Sequence, residues 1–262
     1  MSAPADGNRR LAVGIEYDGS SYFGWQTQPH APNVQDTLDA ALSAVADQPV
    51  GTVAAGRTDT GVHATGQVIH FDTLAERSER SWLLGANSNL PDDVNALWVR
   101  HVPGSFHARY SATGRVYRYL ILNRPVRSAL LRRRAWWVRD ALDVRPMREA
   151  AELLLGEHDF SAYRAAACQS KTPVRDLRRL DIERSGEQIW LTCEANAFLH
   201  HMVRNLVGTL VRIGRGEERP QWAAELLEGR DRRLSGMTAP AVGLTLTAVH
   251  YPAGFGLPTA AG

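Results

Sequence analysis

Apolar residues in the first hundred positions recur with two different periods. Residues 11–17 alternate between apolar and polar side chains, which predicts a β-strand. From residue 34 to residue 45 they recur at helical spacing after Asn33, a residue type that caps helix N-termini. Further strands are predicted at 53–55, 66–71 and 94–102, with a helix that begins at Ser78 or Ser81 and ends before Pro91. The order strand, helix, strand, strand, helix, strand is the one that a ferredoxin-like half requires.

The second half of the chain shows the same order of predicted elements without a detectable sequence repeat. Strands are predicted at 115–122, 177–182, 188–194 and 242–249, and helices at 144–155, 199–213 and 221–227. The balance of charges changes near Gly104. We therefore predict an α+β protein of two domains, 1–104 and 105–262.

The strand at 115–122 alternates most strongly, and two tyrosines share one of its faces. Tyr117 and Tyr119 point to the same side as Arg115, because successive side chains of a strand point to opposite faces. Core packing is the commoner fate of a tyrosine in a strand. The functional alternative is a platform on which an RNA base stacks. The spacing does not separate the two tyrosines.

The distribution of charge points to a polyanionic partner for the second half. Residues 1–105 carry a net charge of −6 and residues 106–262 carry +8, although the whole chain is only +2. Ten arginines fall between residues 109 and 145. Arginine contacts phosphate through paired hydrogen bonds and also stacks on bases. This asymmetry is typical of a protein that binds nucleic acid.

Composition limits the other classes of function. No stretch approaches the ~20 consecutive apolar residues of a membrane helix. The only two cysteines, Cys168 and Cys193, have no metal-ligand spacing. We therefore expect no membrane association, no metal and a reducing, cytoplasmic location.

Candidate chemistry is concentrated in a glycine-rich stretch, residues 56–71. Asp59 lies on its turn, with Arg57 two residues before it and His63 four residues after it. An Asp in such a turn most often bonds its own backbone. A nucleophilic Asp instead needs a nearby cation that favours its ionised form. Arg57 is one candidate for that cation, and Arg204 is the other.

Arg204 lies beside the apolar stripe of the helix predicted at 199–213. A half-buried guanidinium there needs a carboxylate, whereas an arginine on the outer flank of the helix needs none. The spacing leaves both possibilities open.

With these residues in view, the chain resembles the tRNA pseudouridine synthase A family over nearly its whole length. The most specific matches are G-R-T-D at 56–59, R-V-Y-R-Y at 115–119 and H-M-V-R-N at 201–205. Others occur in the same order at 14–19, 24–26, 89–91, 106–109, 155–160 and 243–244. Several independent motifs in order make the resemblance specific.

The resemblance implies a role for each candidate residue. Asp59 matches the catalytic nucleophile, and Tyr117 matches the residue that stacks on the target uracil. Arg204 matches the ion-pair partner of the nucleophile, and Arg57 matches the basic residue that helps to displace the target base. We group His63 with the substrate-binding residues and expect it to fix the Asp59 turn by hydrogen bonding.

The chain departs from the family at two positions. Thr27 stands where a basic residue is common, which removes one expected RNA contact. Thr60 stands where alanine is common, and its small side chain is expected to be tolerated beside the nucleophile.

The resemblance also implies a fold and a reaction. The fold is two ferredoxin-like halves joined into one mostly antiparallel sheet, with helices on one side and an active-site cleft between the halves. The reaction converts uridine to pseudouridine at positions 38–40 of the tRNA anticodon stem-loop, in a homodimer and without cofactor or metal. The alternatives are a non-catalytic tRNA-binding protein or chaperone, and a pseudouridine synthase for another RNA.

Overall fold

The computed structural model of the chain describes residues 7–166, 168 and 170–258. Packing divides it into two compact units. Unit 1 extends to Thr113 and includes the residues from Leu246 onward, whereas unit 2 runs from Gly114 to Thr245. This division follows packing, while the domains predicted at 1–104 and 105–262 follow charge; those domains stay a prediction.

Unit 1 has the predicted order of elements. They are β1 (Arg9–Tyr17), α1 (Val34–Ala46), β2 (Val53–Ala54), β3 (His63–Thr73), α2 (Glu79–Asn89) and β4 (Val94–Val102). Strand β1 pairs antiparallel with both β3 and β4, and β2 pairs antiparallel with β3. The resulting order β4-β1-β3-β2 is ferredoxin-like. The α+β class predicted from the sequence is confirmed.

Both helices of unit 1 begin at capping residues. The side chain of Asn33 accepts a hydrogen bond from the N–H of Asp36 at 2.8 Å, which satisfies one of the unpaired donors of the first turn. The second helix is capped by Ser78, whose hydroxyl accepts from the N–H of Ser81 at 3.1 Å. Ser78 is therefore the cap, and Ser81 lies inside the first turn.

The two faces of the unit 1 sheet are covered differently. Leu11 lies opposite Phe71, whose ring contacts that of Trp82 on α2 at 5.1 Å between centroids. On the other face, Ala12 packs in a cluster to which neither α1 nor α2 contributes. That second cluster comprises Ala12, Ala55, Val68, Val102, Phe106 and Ala108, with Trp98, Val249, Tyr251, Phe255 and Leu257 packed around it. The packing of residues 106–108 explains why unit 1 extends beyond Gly104.

Unit 2 contains the predicted elements and two more. They are β5 (Gly114–Asn123), β6 (Trp136–Val138), α3 (Val144–Glu152), β7 (Gly156–Asp159), β8 (Val174–Ser185), β9 (Gln188–Ala195), α4 (Met202–Gly214), α5 (Trp222–Gly229) and β10 (Leu244–His250), whose later residues belong to unit 1. Strands β5, β9, β8 and β7 form an antiparallel sheet in that order, and β6 runs parallel to β5. The sequence did not predict β6 or β7.

Helix α4 begins later than its apolar pattern predicts. The pattern starts at residue 199, but His201 adopts φ 62°, a left-handed conformation that ends any continuous helical path. The helix therefore begins at Met202. Within the described part of the chain, none of the helices is long and apolar enough to cross a membrane.

Candidate active site

Asp59 lies on the turn between β2 and β3, and main-chain hydrogen bonds fix this turn on both sides. The N–H of Trp25 donates to the carbonyl of Thr58 at 3.0 Å. The N–H of Gly61 donates to the carbonyl of Tyr22 at 3.4 Å. The loop formed by residues 22–25 therefore bonds the chain on both sides of the half-buried Asp59, once at Thr58 and once at Gly61.

The contact between this loop and the Asp59 turn requires a glycine at position 24. Gly24 has φ +97°, where residues with a side chain are strained. A Cβ atom there would also lie 2.9 Å from the carbonyl oxygen of Thr58 and 3.3 Å from the carbonyl carbon of Asp59. The two main chains can approach this closely only because residue 24 has no side chain.

Two buried polar side chains support the turn from β1 and β3. The hydroxyl of Tyr17 lies 2.8 Å from the hydroxyl oxygen of Thr58. Burial raises the pKa of Tyr17 to about 12, so this phenol is neutral at physiological pH. Gln67, which is fully buried, donates its side-chain N–H to the carbonyl of Gly56 at 2.6 Å. Tyr17 lies in the matched stretch 14–19 and Gln67 in the predicted strand 66–71, but residue type alone did not indicate that either side chain supports the turn.

His63 is buried beneath the start of β3, with 1% of its surface exposed. Its Nδ1 lies 3.2 Å from the N–H of Gly19 and 3.1 Å from a carboxylate oxygen of Asp18. Nδ1 therefore accepts from Gly19 in the neutral ring, or donates to Asp18 in the protonated ring. Both arrangements tie the start of β3 to residues 18–19. The burial favours the expected role in fixing the turn, and direct contact with substrate stays a prediction.

Arg57 is the most accessible charged residue of the predicted site. Arg57 is exposed, and it makes no hydrogen bond or ion pair with any other described residue. Its guanidinium group is therefore open to a ligand in solution. The role that the resemblance implies for Arg57 stays a prediction.

The structure of unit 2 distinguishes the two tyrosines of β5. Tyr119 is fully buried and donates its hydroxyl to the carbonyl of Pro240 at 2.7 Å. Burial raises the pKa of Tyr119 strongly, with the charge of Arg204 acting in the opposite direction. Tyr117 retains 9% exposure, and its ring meets that of Phe198 edge-on at 5.2 Å between centroids. Of the two, Tyr119 is the packed tyrosine and Tyr117 is the better candidate for a stacking surface.

Arg204 is the half-buried third residue of α4, and it bonds both main-chain groups of Ala239. Its Nε donates to the carbonyl of Ala239 at 2.8 Å. The N–H of Ala239 in turn donates to the carbonyl of Arg204 at 3.0 Å. These two bonds fix both the backbone and the side chain of Arg204 against residue 239. Sequence reasoning missed Ala239, because nothing about an alanine indicates that its backbone holds a distant arginine.

The structure thus groups the candidate residues within each unit. In unit 1, Arg57, Asp59 and His63 occupy one turn and the strand that follows it. In unit 2, Tyr117 and Arg204 occupy β5 and α4. Gln67, from the same stretch as Asp59, supports the first group, and Ala239, which is distant in sequence from Arg204, supports the second.

Comparison with known proteins identifies the family. The family profile described as tRNA pseudouridine synthase matches residues 14–111 and 150–252. The tRNA pseudouridine synthase A of Methylococcus capsulatus is 55% identical over 248 residues, which cover 95% of this chain and 92% of that protein. The enzyme of the same name from Aeromonas hydrophila is 55% identical over 249 residues, 95% of this chain and 93% of that protein.

The alignment with a third relative covers the same share of both chains, whereas the match to a solved structure is weak. The tRNA pseudouridine synthase A of Hydrogenovibrio crunogenus is 51% identical over 248 residues, 95% of each chain. A chain in the crystal structure of a Cbf5-Nop10-Gar1 complex matches with a TM-score of 0.34 and 11% identity, over 90% of this chain and 48% of that one. That score is too low to carry an argument. The family profile and the relatives, which extend across both units, confirm that the protein is an isomerase and that the chain belongs to the tRNA pseudouridine synthase A family.

Proposed function

We propose that this protein converts uridine to pseudouridine at positions 38–40 of the tRNA anticodon stem-loop, with Asp59 as the nucleophile. The observation that carries the proposal is the position of Asp59. It lies half-buried on a turn that two main-chain hydrogen bonds and a glycine contact hold in place. A carboxylate held in this way loses little conformational freedom when it meets its target.

The reaction explains why a single carboxylate is sufficient. The bond between N1 of uracil and C1′ of ribose breaks, and a bond forms between C1′ and C5 of the same uracil. The proton on C5 leaves to solvent and N1 gains a proton, so that substrate and product are isomers. No electrons are exchanged with a second molecule, so the reaction needs no redox group. By the resemblance, we propose that neither a cofactor nor a metal takes part. Attack of Asp59 on C1′, attack on C6 and removal of the ribose 2′ proton all lead to this product.

Tyr117 is proposed to hold the uracil after it leaves the base stack. Extrusion of a base costs a few kcal/mol, and stacking on an aromatic ring returns about 1–3 kcal/mol. The perpendicular contact with the ring of Phe198 limits the motion of the Tyr117 ring. The nearby Tyr119 cannot serve in the same way, because it is fully buried.

Arg204 is proposed to be the ion-pair partner of Asp59. A cation at close range keeps a carboxylate ionised and oriented. The support for Arg204 is the H-M-V-R-N match together with the two bonds to Ala239, which fix its side chain. Arg57 is proposed to help displace the target base, and His63 to hold the turn.

The arginine-rich segment between residues 109 and 145 is proposed to bind the tRNA backbone. Most of its ten arginines are exposed and can neutralise phosphates, so that binding weakens as the salt concentration rises. By the same resemblance, we propose that the protein acts as a homodimer in the cytoplasm.

The test measures release of tritium from C5 of uracil in unmodified tRNA, followed by mapping of the modified positions. Asp59→Asn should abolish release while tRNA binding persists, because the geometry is kept and the nucleophile is lost. Asp92→Asn, at an exposed aspartate of the same unit, is the matched control and should be fully active.

Three outcomes would contradict parts of the proposal. Near-native release by Asp59→Asn would exclude the nucleophile. Modification outside positions 38–40 would exclude the proposed target. Binding without any release by the wild-type protein would favour the non-catalytic alternative.

A further inference from the structure

The role proposed for Arg204 depends on a segment that none of the family motifs includes, residues 232–239. Ala239 ends this segment and binds Arg204 through both its carbonyl and its N–H. The inference that follows rests on the proposed function, because it concerns how Arg204 is held in place.

The segment lies directly on the backbone of α4. A Cβ atom at Gly208 would lie 1.7 Å from the carbonyl oxygen of Met237. A distance this short means that the main chains of helix and segment touch, with no room for a side chain between them. A small displacement of the segment along α4 would therefore move Ala239, and with it the acceptor of Arg204.

One guanidinium group holds this segment together. Arg232 donates from Nη1 to the hydroxyl of Ser235 at 2.6 Å and to the carbonyl of Gly236 at 3.1 Å. From Nη2 it donates to the hydroxyl of Thr238 and to the side-chain oxygen of Asn205, both at 2.9 Å. Thr238 also donates to the same oxygen of Asn205, at 2.7 Å. Arg232 thus joins three points of the segment to one residue of α4.

Asn205 connects this cluster to the body of unit 2. It is fully buried, directly follows Arg204 on α4, and donates to the carbonyl of Tyr163 at 2.7 Å. All the hydrogen-bond acceptors of Arg232 are neutral. The neighbouring Arg233 differs, since it is exposed and pairs with the carboxylate of Asp231. Four directed bonds to neutral acceptors indicate an organising role for Arg232 rather than charge neutralisation.

We propose that Arg232 is a positioning residue for Arg204. Through Asn205, Ser235, Gly236 and Thr238 it fixes residues 235–238 on α4, which places the carbonyl of Ala239 where Nε of Arg204 binds it. A hydrogen bond from Nε restricts the orientations of the guanidinium and leaves its two Nη groups to face its partner. Loss of Arg232 would leave Arg204 present but poorly oriented.

The test compares Arg232→Met with Arg233→Met, using tritium release from tRNA to obtain kcat and KM. Arg232→Met should lower kcat by about 10- to 100-fold, because small misplacements of a catalytic group have effects of this size. Its KM should change less than about twofold, because Arg232 contacts no substrate group in this proposal. Arg233→Met should leave both parameters unchanged. Thermal unfolding, measured in parallel, sets an assay temperature at which every variant is folded.

The decisive measurement repeats Arg232→Met in an Arg204→Lys background. If Arg232 acts through Arg204, the second substitution should lower kcat by less than about twofold there, since effects on one unit are not additive. An equal loss in both backgrounds would overturn the inference. If Arg232→Met does not fold, Thr238→Val removes only the two bonds made by the hydroxyl of Thr238. It should show the same dependence on Arg204 with a smaller loss of kcat.

The failure of this inference can be told from the failure of the proposed function. If Arg204→Lys and Arg204→Ala both retain wild-type kcat, the role of Arg204 is wrong, and the positioning role of Arg232 fails with it. If they lose kcat while Arg232→Met and Thr238→Val do not, only the positioning role is wrong.

Discussion

The turn that carries Asp59 and the helix that carries Arg204 are stabilised by different parts of the chain. Around Asp59 the loop of residues 22–25 makes its contacts through main-chain groups, from Trp25 to Thr58 and from Gly61 to Tyr22. Near Arg204 the segment that carries Ala239 is held by side chains, with Arg232 and Asn205 at the centre. A site fixed by backbone tolerates changes of exposed side chains but not an added Cβ, whereas a site fixed by side chains responds to their removal.

This difference explains one departure from the family. Thr60 follows Asp59 directly, yet Thr60 is exposed. None of the bonds described for the turn uses the side chain of residue 60, so a threonine in place of the usual alanine disturbs none of them. No such tolerance is expected at Arg232, because each of its four bonds comes from the guanidinium group.

Gly24→Ala is expected to have the largest effect. The added methyl group would lie 2.9 Å from the carbonyl oxygen of Thr58, at a residue with φ +97°. We expect a loss of about 1–3 kcal/mol in the free energy of unfolding from the strained backbone. Displacement of the Asp59 turn should lower kcat about 100-fold. Tritium release and urea unfolding measure the two effects.

Gly51→Ala is the matched control for this substitution. A Cβ atom at residue 51 meets no other atom within 4 Å. Its activity and stability should match those of the wild type. If Gly24→Ala also retained wild-type kcat, the main-chain contact would not position Asp59, and the contrast between the two units would not hold.

The second prediction uses the two tyrosines of β5. Tyr117→Leu should lower kcat/KM about 10- to 100-fold, because stacking of one base is worth about 1–3 kcal/mol. Tyr119→Phe should leave kcat/KM unchanged but lower the free energy of unfolding by about 1 kcal/mol, since Pro240 loses its hydrogen-bond donor. Equal activity of the two variants would remove the distinction between platform and packed residue.

Local signals in the sequence were enough to predict most of the elements. Asn33 and Ser78 cap their helices as expected, and β4 has the predicted bounds. What the sequence did not predict depends on contacts between distant residues. Strand β6 has three residues in an arginine-rich segment and exists through its parallel pairing with β5. Strand β7 has four residues at the edge of its sheet.

The candidate site shows the same division between local and distant signals. Asp59, Arg57 and His63 stand within one short stretch, so the motif and the turn chemistry indicated them together. Ala239 lies 35 positions after Arg204, and its contribution is a carbonyl group that every residue has. Such a contact carries no signal in residue type. Arg232 was equally invisible, because an arginine that bonds neutral loop acceptors resembles any surface arginine in sequence.

The third prediction concerns a second place in unit 1 where a main-chain group is held by a hydrogen bond, outside the Asp59 turn. On β3, Nδ1 of His70 accepts from the N–H of Ala108 at 3.1 Å. Burial, followed by the charges of His107 and Arg10, lowers the pKa of His70 from 6.5 to about 4. The unfolded chain therefore binds a proton near pH 6.5 and the folded protein only near pH 4. The stability that neutral His70 provides is complete above pH 6.5 and is lost as the pH falls towards 4.

Between pH 7 and pH 5 this loss should amount to about 1–2 kcal/mol in the free energy of unfolding. His70→Asn keeps an acceptor but does not titrate, so its stability should fall less over the same interval. His107, whose pKa burial also lowers, contributes in the same direction in both proteins. Urea unfolding at several pH values measures the slopes. Equal slopes for the two proteins would show that His70 is not the group responsible.

The smallest effect is expected from Thr27→Arg, which tests an exposed side chain of the loop that follows residues 22–25. Thr27 is exposed and its hydroxyl bonds Asp36. An arginine there should strengthen tRNA binding by a few-fold at low salt. It should also steepen the dependence of log K on log salt by about 0.7–0.9 for one added phosphate contact.

Thr27→Gln is the uncharged control and should leave the slope unchanged. An unchanged slope for Thr27→Arg would mean that Asp36 neutralises the introduced charge. Either way kcat should stay at the wild-type value, because the loop holds Asp59 through its main chain, which this substitution leaves in place.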